Sequence, residues 1–369
     1  MVFLALTLTA CVAIAQKPQA APAFTWQTVT PESVGYSSGR LDALRQWLKT
    51  QQTQSMMVLY KGKVIFTYGD VAKPTKIASI RKSVLAMLMG KYVVSGQLDM
   101  GKTVEELGLK DNSPFLDLEK RATLEQLMSG RSGIYMEEPG DWLGAQEPRR
   151  GFVAPGQSFY YDNWEFDAAG VAFEKVTGQN IYDALEHDLA QPLGMQDFRR
   201  ELQKKIPSTN SDFPEYAMYL SARDMARLGL LMEQGGMWNG KPLMSGDWIR
   251  YSTGIITPWD EMNPPILRLR GMPERWGFGS GWWVWDAQTY AGAQSPGPFQ
   301  GAFEARGSGG QYITVIPSRD LVIVHKVDLG EHPKSSEWTM DPESWDAITN
   351  MVIASTCNGK CPDVDHSAH

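Results

Sequence analysis

Ser79 and Lys82 stand three residues apart, where an extended stretch of sequence gives way to a helical pattern. Residues at this spacing share one face of a helix, so the Ser79 hydroxyl and the Lys82 amine can meet. A hydroxyl is a poor nucleophile until a neighbour accepts its proton, and a lysine in a partly desolvated cleft can accept it. The start of a helix also favours negative charge on a substrate oxygen. The spacing predicts that Ser79 is a nucleophile that becomes acylated.

A tyrosine and an asparagine form a second candidate group, Tyr161-Asp162-Asn163, just before an apolar helical pattern. In an extended loop the first and third positions project to the same side, so the phenol of Tyr161 and the amide of Asn163 can enter one cleft. A phenolate beside an ammonium can act as a general base, and the phenol can later protonate the leaving group. We expect Tyr161 to move protons and Asn163 to hold Lys82 or a substrate amide.

A glycine-rich segment forms the third candidate group and leads into a strand pattern at Tyr312–Ile316. Glycine lets a backbone approach a ligand closely. Glycine-rich phosphate loops precede a helix, whereas this segment precedes a strand, so we exclude a phosphate site. We expect an edge strand that contacts the substrate and whose backbone N–H completes an oxyanion hole opposite Ser79. The segment reads Ala305-Arg306-Gly307-Ser308-Gly309-Gly310-Gln311.

Two other kinds of centre are not favoured. Gly35-Tyr36-Ser37-Ser38-Gly39 matches the nucleophile elbow of another hydrolase class, but that elbow follows a buried strand and here Pro31-Glu32-Ser33-Val34 precedes it. Capping of a helix by Ser37 or Ser38 explains the same residues. The five histidines include no His-Glu-x-x-His pattern, and we expect neither a metal nor a cofactor.

Strand patterns lie towards both ends of the chain and helical patterns lie between them. Met56–Tyr60 and Val64–Tyr68 predict an early hairpin, while Tyr312–Ile316 and Leu321–Val327 predict late strands. We therefore predict an α+β fold of the sandwich type, with one antiparallel sheet built from both chain ends, flanked by helices, and a mostly helical subdomain inserted. The predicted divisions are a domain over 26–355, with its sheet part at 26–80 and 270–355 and its helical part at about 81–269, and a tail at 356–369.

Composition limits the partners. The 369 residues carry a formal net charge of −7, and 43% are hydrophobic. Nucleic-acid binders need a basic face, so we exclude nucleic acid as a partner. The sequence contains no run of Lys and Arg that would bind a membrane surface. We expect a small molecule as the binding partner.

The first fifteen residues are uncharged and mainly apolar, and the run is too short to span a membrane. We interpret residues 1–15 as a signal peptide, with Ala13-Ile14-Ala15 as the cleavage site, and residues 16–25 as a flexible leader. Leu8-Thr9-Ala10-Cys11 also fits a lipoprotein signal, so membrane attachment is expected only if Cys11 is lipidated. The predicted location is the periplasm or the extracellular medium.

Cys357 and Cys361 are the two cysteines that remain after removal of the signal peptide. The turn-forming stretch Asn358-Gly359-Lys360 can bring them together, and an oxidising compartment permits the bond. We predict a disulfide that ties down the tail.

In order along the chain, Ser79-x-x-Lys82, Tyr161-x-Asn163 and the glycine-rich strand edge resemble the β-lactamase-related serine hydrolases. That superfamily includes class C β-lactamases, D-alanyl-D-alanine peptidases, family VIII esterases and 6-aminohexanoate-dimer hydrolases. Further segments also resemble it, namely Ser95–Asp99, Leu127–Gly133, Pro192–Met195 and Ser221–Asp224. The resemblance covers roughly residues 30–355 and implies a β-lactamase/transpeptidase-like fold.

The resemblance implies acyl transfer through Ser79, with Lys82 and Tyr161 sharing the base and acid roles. It also implies an oxyanion hole made by the backbone N–H groups of Ser79 and Ser308. Many relatives have Lys-Thr-Gly or His-x-Gly where this chain has Ala305-Arg306-Gly307, so a cation for a substrate carboxylate is missing or is supplied by Arg306.

That departure favours an ester or an amide over a β-lactam or a D-Ala peptide, with the segment Trp276–Trp285 as a candidate cleft wall. The alternative function is a non-catalytic penicillin-binding sensor that is acylated without turnover. Sequence leaves these two open, because deacylation depends on the geometry of the cleft.

Overall fold

The computed structural model describes residues 25–136, 148–262, 275–286, 299–330 and 342–357 of the chain. The predicted signal peptide, Cys11, the leader up to residue 24, Cys361, the boundary near residue 270 and the tail beyond residue 357 lie outside these residues. None of the described helices is long and apolar enough to cross a membrane.

The described helices are numbered in chain order. They are α1 Ser38–Leu48, α2 Ile80–Val94, α3 Leu124–Met128, α4 Trp164–Thr177, α5 Ile181–Ala184, α6 Gln191–Leu193, α7 Ala222–Glu233, α8 Gly246–Ser252 and α9 Pro342–Ala354. The strands are β1 Ser55–Tyr60, β2 Lys63–Gly69, β3 Thr75–Lys76, β4 Lys204–Ile206, β5 Glu215–Ala217, β6 Tyr219–Leu220, β7 Met237–Trp238, β8 Lys241–Pro242, β9 Trp276–Phe278, β10 Trp283–Trp285, β11 Phe303–Gly307, β12 Gln311–Ile316 and β13 Leu321–Lys326.

A seven-stranded sheet joins the two ends of the chain in the order β2-β1-β13-β12-β11-β10-β9. Every neighbouring pair of strands is antiparallel. The pairing of Ser55 with Lys326 and of Tyr60 with Leu321 brings the first strand against the last. The predicted sheet built from both chain ends is therefore confirmed.

The early hairpin turns at Lys61 and Gly62, whose φ values are 49° and 71°. Two consecutive residues with positive φ are the arrangement that matches the right-handed twist of a two-residue hairpin. β1 and β2 each begin and end within one residue of the bounds of the predicted strands. The helix that precedes them, α1, begins as expected, because the Ser37 hydroxyl accepts a hydrogen bond from the Arg40 N–H at 3.3 Å.

Helices cover both faces of the sheet. Gly229 of α7 packs against Val322 and Ile313 on one face. The Trp345 indole of α9 donates hydrogen bonds to Glu304 and Thr314, at 3.0 and 3.1 Å. Because successive side chains of a strand point to opposite faces, Ile313 and Thr314 place α7 and α9 on opposite sides. This is the predicted α+β sandwich.

The middle of the chain differs from a purely helical insertion. Three two-stranded ribbons pair β3 with β6, β4 with β5 and β7 with β8. The ribbon of β3 and β6 lies beside β13 of the sheet, because the Lys326 side chain donates to the carbonyl oxygens of Thr75 and Leu220. The short ribbons escaped the sequence analysis since two or three residues give no alternation to detect.

Candidate active site

Ser79 directly precedes α2, in the N-cap position, and is half-buried. Within the described structure its hydroxyl makes no capping hydrogen bond to the helix, although serine is a favoured cap. The Lys82 N–H donates to the Ser79 carbonyl oxygen at 3.0 Å, so one helical turn joins the two residues. Their separation by one turn follows from the spacing, and contact between the Ser79 hydroxyl and the Lys82 amine stays a prediction.

The residue before Ser79 has a strained backbone. Ala78 has φ of 47°, in the left-handed region that non-glycine residues seldom adopt. Strain of this kind costs on the order of 1–3 kcal/mol and persists where the surroundings impose it. The surroundings here are β3, the Ile77 N–H bonded to the Met218 oxygen at 3.0 Å, and the Lys326 ammonium bonded to the Thr75 oxygen at 3.0 Å.

Lys82 is buried, with 1% of its surface exposed. Its ammonium nitrogen lies 3.1 Å from the Asp162 carbonyl oxygen, to which it donates. The same nitrogen lies 4.0 Å from the centroid of the Tyr161 ring and 4.5 Å from that of Phe166. These contacts link the first turn of α2 to the loop before α4.

Tyr161 is half-buried among aromatic rings. Its ring centroid lies 5.7 Å from Phe166, 5.8 Å from Phe278 and 5.6 Å from Trp283. β9 and β10 therefore pack beside Tyr161, and a cleft lined by the segment Trp276–Trp285 stays a prediction. Asn163 begins α4 without capping it through its side chain.

Buried carboxyl groups lie behind Lys82. Glu165 is 1% exposed, and its backbone N–H donates to the Asp162 carboxylate at 3.1 Å. Burial raises the pKa of Glu165 well above its usual value, and the Asp162 charge adds to this, while Ser132 and Lys82 oppose it. Burial therefore favours the neutral carboxylic acid of Glu165 over a carboxylate that would add negative charge beside Lys82.

Arg81 lies between the two motif residues, and the motif spacing gave no indication of its role. Its side chain is 2% exposed, and its guanidinium forms an ion pair with Asp167 of α4 at 2.6 Å. Burial raises the pKa of Asp167 to about 7, while Arg81 lowers it. The sequence shows an arginine within Ser-Ile-Arg-Lys. Its burial and its partner Asp167, which is remote in sequence, are visible only in the fold.

The glycine-rich edge lies against the Ser79 turn. A Cβ atom at Gly307 would lie 2.5 Å from the Ile77 carbonyl oxygen and 3.2 Å from the Ala78 Cβ. Only glycine allows the end of β11 to approach this closely. Ser308 follows directly and is exposed. The structure thus brings the predicted oxyanion segment next to Ser79, and the donation by the Ser308 N–H stays a prediction.

Gly310 and Gln311, which follow in the glycine-rich segment, make hydrogen bonds inside the protein. The His325 ring donates to the Gly310 oxygen at 2.7 Å, and burial lowers the pKa of this histidine to about 4, so the ring is neutral. The Gln311 side chain is fully buried and donates to the Val327 oxygen at 2.8 Å. This corrects the expectation that Gln311 contacts substrate, because its amide is turned into the protein.

Arg306 is not a free cation. Its Nε forms an ion pair with the Glu304 carboxylate at 2.5 Å, and its guanidinium carbon lies 4.8 Å from both the Trp276 and the Trp283 ring. Ala305, beside it, has a buried methyl side chain. Of the two alternatives raised by the sequence, a missing cation for a substrate carboxylate is favoured over a cation supplied by Arg306, since Glu304 already compensates the charge of Arg306.

Two further points concern metals and cysteines. Among the described residues, no group of three or more His, Cys, Asp or Glu side chains could hold a metal ion. Cys357 is disulfide-bonded. Its predicted partner, Cys361, lies outside the described residues, so the pairing stays a prediction.

Comparisons with known proteins agree with this geometry. A family model described as Beta-lactamase matches residues 44–327. A 6-aminohexanoate-dimer hydrolase of Paenarthrobacter ureafaciens is 23% identical over 236 residues, which are 57% of this chain and 59% of that hydrolase. The chain therefore matches less than two thirds of that relative's length.

Solved structures share the fold. A proposed 6-aminohexanoate-dimer hydrolase from Bacillus anthracis superposes with a TM-score of 0.63 at 19% identity, covering 90% of this chain and 87% of that one. A family VIII carboxylesterase superposes with a TM-score of 0.58 at 16% identity, covering 86% and 96%. The family model covers well over half of the sequence, and the chain therefore belongs to the beta-lactamase family of serine hydrolases.

Proposed function

We propose that the protein hydrolyses a neutral ester or amide through an acyl-enzyme formed on Ser79. The observation that carries this proposal is the position of the Lys82 ammonium, 4.0 Å from the Tyr161 ring and one helical turn from Ser79. A hydroxyl, an amine and a phenol can pass one proton among them once they come within hydrogen-bond reach of one another.

The reaction has two steps. Ser79 Oγ attacks the substrate carbonyl carbon while its proton passes to Lys82 or Tyr161, and the same proton then reaches the leaving alcohol or amine. Water next attacks the acyl carbon, and Ser79 recovers a proton as the acid leaves. The backbone N–H groups of Ser79 and Ser308 hold the oxyanion in both steps.

The site favours neutral substrates. Glu304 compensates Arg306, and the neighbouring Ala305 offers only a methyl group. At this strand edge, as far as the structure describes it, a substrate carboxylate would therefore meet no uncompensated cation and would lose its hydration. The rings of Trp283 and Phe278 beside Tyr161 suit an apolar acyl or leaving group.

A side-by-side assay of nitrocefin, short-chain p-nitrophenyl esters and linear amides tests this function. We expect turnover of a neutral ester or amide by the wild-type protein and none by Ser79→Ala. Rapid acylation followed by no turnover of any substrate would instead support the penicillin-binding sensor. Turnover by Ser79→Ala at the wild-type rate would rule out the acyl-enzyme.

We also infer export to the periplasm or the medium. The apolar residues 1–15 and the disulfide-bonded Cys357 support it, because disulfides persist in oxidising compartments. Cell fractionation of the full-length protein, with Cys11→Ser to test for lipid attachment, checks this inference. Recovery of the full-length, unprocessed protein in the cytoplasm would contradict it.

A further inference from the structure

Arg81 lies between the nucleophile and Lys82, and the chemistry proposed above gives it no role. Its guanidinium is buried, pairs with Asp167 at 2.6 Å and lies 3.7 Å from the Glu215 carboxylate. Its guanidinium carbon also lies 4.4 Å above the Tyr216 ring. A fully buried cation is costly unless it is paired, so Arg81 is held in this position by specific partners.

Asp167 has two buried basic side chains, Arg81 and Lys82, as neighbours. It follows Phe166, whose ring lies 4.5 Å from the Lys82 ammonium. Its carboxylate interacts electrostatically with both Arg81 and Lys82. The structure shows an ion pair with Arg81 and, within the described chain, no ion pair of Asp167 with Lys82.

Because Asp167 pairs with Arg81, Lys82 is left without a carboxylate partner among the described residues. The charged or titratable groups around it are Arg81 on α2, Tyr161 and Asp162 in the loop before α4, Glu165 and Asp167 on α4, and Glu215 on β5. In the part of the chain that the structure describes, no carboxylate lies within 4.0 Å of its nitrogen, and its hydrogen bond goes to the Asp162 backbone oxygen.

A paired carboxylate would hold Lys82 as an ammonium, which cannot accept the Ser79 proton. We propose that Arg81 is a positioning residue that holds Asp167 away from Lys82, so that the Lys82 amine remains available as a proton acceptor. This inference rests on the proposed function, in which Lys82 takes part in removing the proton of Ser79.

A purely structural role of the ion pair is the competing explanation, because it also joins α2 to α4. The two explanations differ when both partners are removed. If Arg81 only joins the helices, its loss leaves Asp167 buried and unpaired and lowers the melting temperature, but it does not move the pH dependence of acylation. If Arg81 restrains Asp167, removing the Asp167 charge restores Lys82.

The test is the pH dependence of the rate at which a fluorophosphonate labels the full-length protein. In Arg81→Met we expect the midpoint of the acid limb to rise by about one pH unit or more, because Asp167 then pairs with Lys82. In Arg81→Met/Asp167→Asn we expect the midpoint to return to the wild-type value or below. Arg81→Gln, which keeps a polar side chain in the same space, is measured alongside in case Arg81→Met does not fold.

Arg227→Met is the matched control. Arg227 and Asp224 form another fully buried ion pair, at 3.3 Å on α7. We expect this change to lower the melting temperature without moving the midpoint. A wild-type midpoint in folded Arg81→Met or Arg81→Gln, or an equal upward shift in the double variant, would overturn the inference. Labelling of Ser79→Ala as fast as wild type would overturn the proposed function itself, and the inference with it.

Discussion

The Lys82 ammonium lies over the face of the Tyr161 ring, with 4.0 Å between the nitrogen and the ring centroid. Lys82 comes from the first turn of α2, and Tyr161 comes from the loop before α4. The contact joins two residues that are remote in sequence, one helical turn from Ser79, which directly precedes α2. The account of function depends on this contact.

Replacement of Tyr161 by Phe keeps the ring beside Lys82 and removes the hydroxyl. We expect the turnover of p-nitrophenyl esters to fall about tenfold or more, because positioned acid–base groups contribute about 10²–10⁴-fold. Tyr160→Phe is the matched control, since Tyr160 instead packs edge-on against Tyr135 at 5.6 Å. An unchanged rate in Tyr161→Phe would remove the phenol from the mechanism.

Replacement of Gly307 by Ala tests the approach of β11 to the Ser79 turn. The added Cβ would lie 2.5 Å from the Ile77 oxygen, so the strand end and the turn must separate. A displacement of reacting groups by about 1 Å can cost about 10²-fold in rate, and we expect a fall of at least about tenfold. Gly246→Ala is the control, because its Cβ would meet its nearest neighbour at 3.5 Å. Equal rates in Gly307→Ala and Gly246→Ala would show that the approach of the glycine-rich edge to the Ser79 turn does not affect catalysis.

The charge of the substrate is expected to matter. For one p-nitrophenyl ester with a distal methyl ester or the corresponding free acid, we expect kcat/KM to be about tenfold or more higher for the neutral compound. The reason is that Glu304 already pairs with Arg306 at 2.5 Å. Preference for the free acid, measured at constant ionic strength, would show that a cation is available in the cleft after all.

Stability should depend on the protonation of Lys326. Burial lowers the pKa of this lysine from 10.5 to about 7. Between these values the unfolded chain binds a proton that the folded protein does not, so the free energy of unfolding rises with pH from about 7 towards 10.5. The rise should amount to a few kcal/mol at most.

Lys326→Met removes this titration, so we expect a flatter dependence of the free energy of unfolding on pH between about 7 and 9.5. The same variant leaves the Thr75 and Leu220 carbonyl oxygens without their donor and should be less stable overall. Urea unfolding at several pH values measures both effects. A wild-type slope in Lys326→Met would show that this lysine does not titrate in that range.

The sequence predicted those parts of the structure that depend on local pattern. The strands β1, β2, β12 and β13 and the helix after Ser79 follow from alternation and helical spacing. The pairing of Tyr161 with Lys82 followed from chemistry, since an activated serine needs a proton acceptor. Residues whose role depends on a partner remote in sequence could not be found in this way.

The sequence did not reveal the partner of Arg81, the backbone conformation of Ala78 or the hydrogen bond of Gln311. The role of Arg81 depends on Asp167, which lies on another helix. The positive φ of Ala78 is imposed by β3 and the Gly307 strand end, because alanine itself does not favour it. Gln311 seemed free to contact substrate because sequence does not show that its amide bonds to the Val327 oxygen.

The most direct test of the central claim is the site of fluorophosphonate labelling, located by peptide mass spectrometry. The account predicts a label on Ser79 in the wild-type protein, no label in Ser79→Ala and slow labelling in Lys82→Met. Ser83→Ala is the control on the same helix, because the Ser83 hydroxyl donates to the Gly281 oxygen at 2.6 Å, and it should be labelled on Ser79. A label on another residue, or equal labelling of Ser79→Ala, would contradict the account.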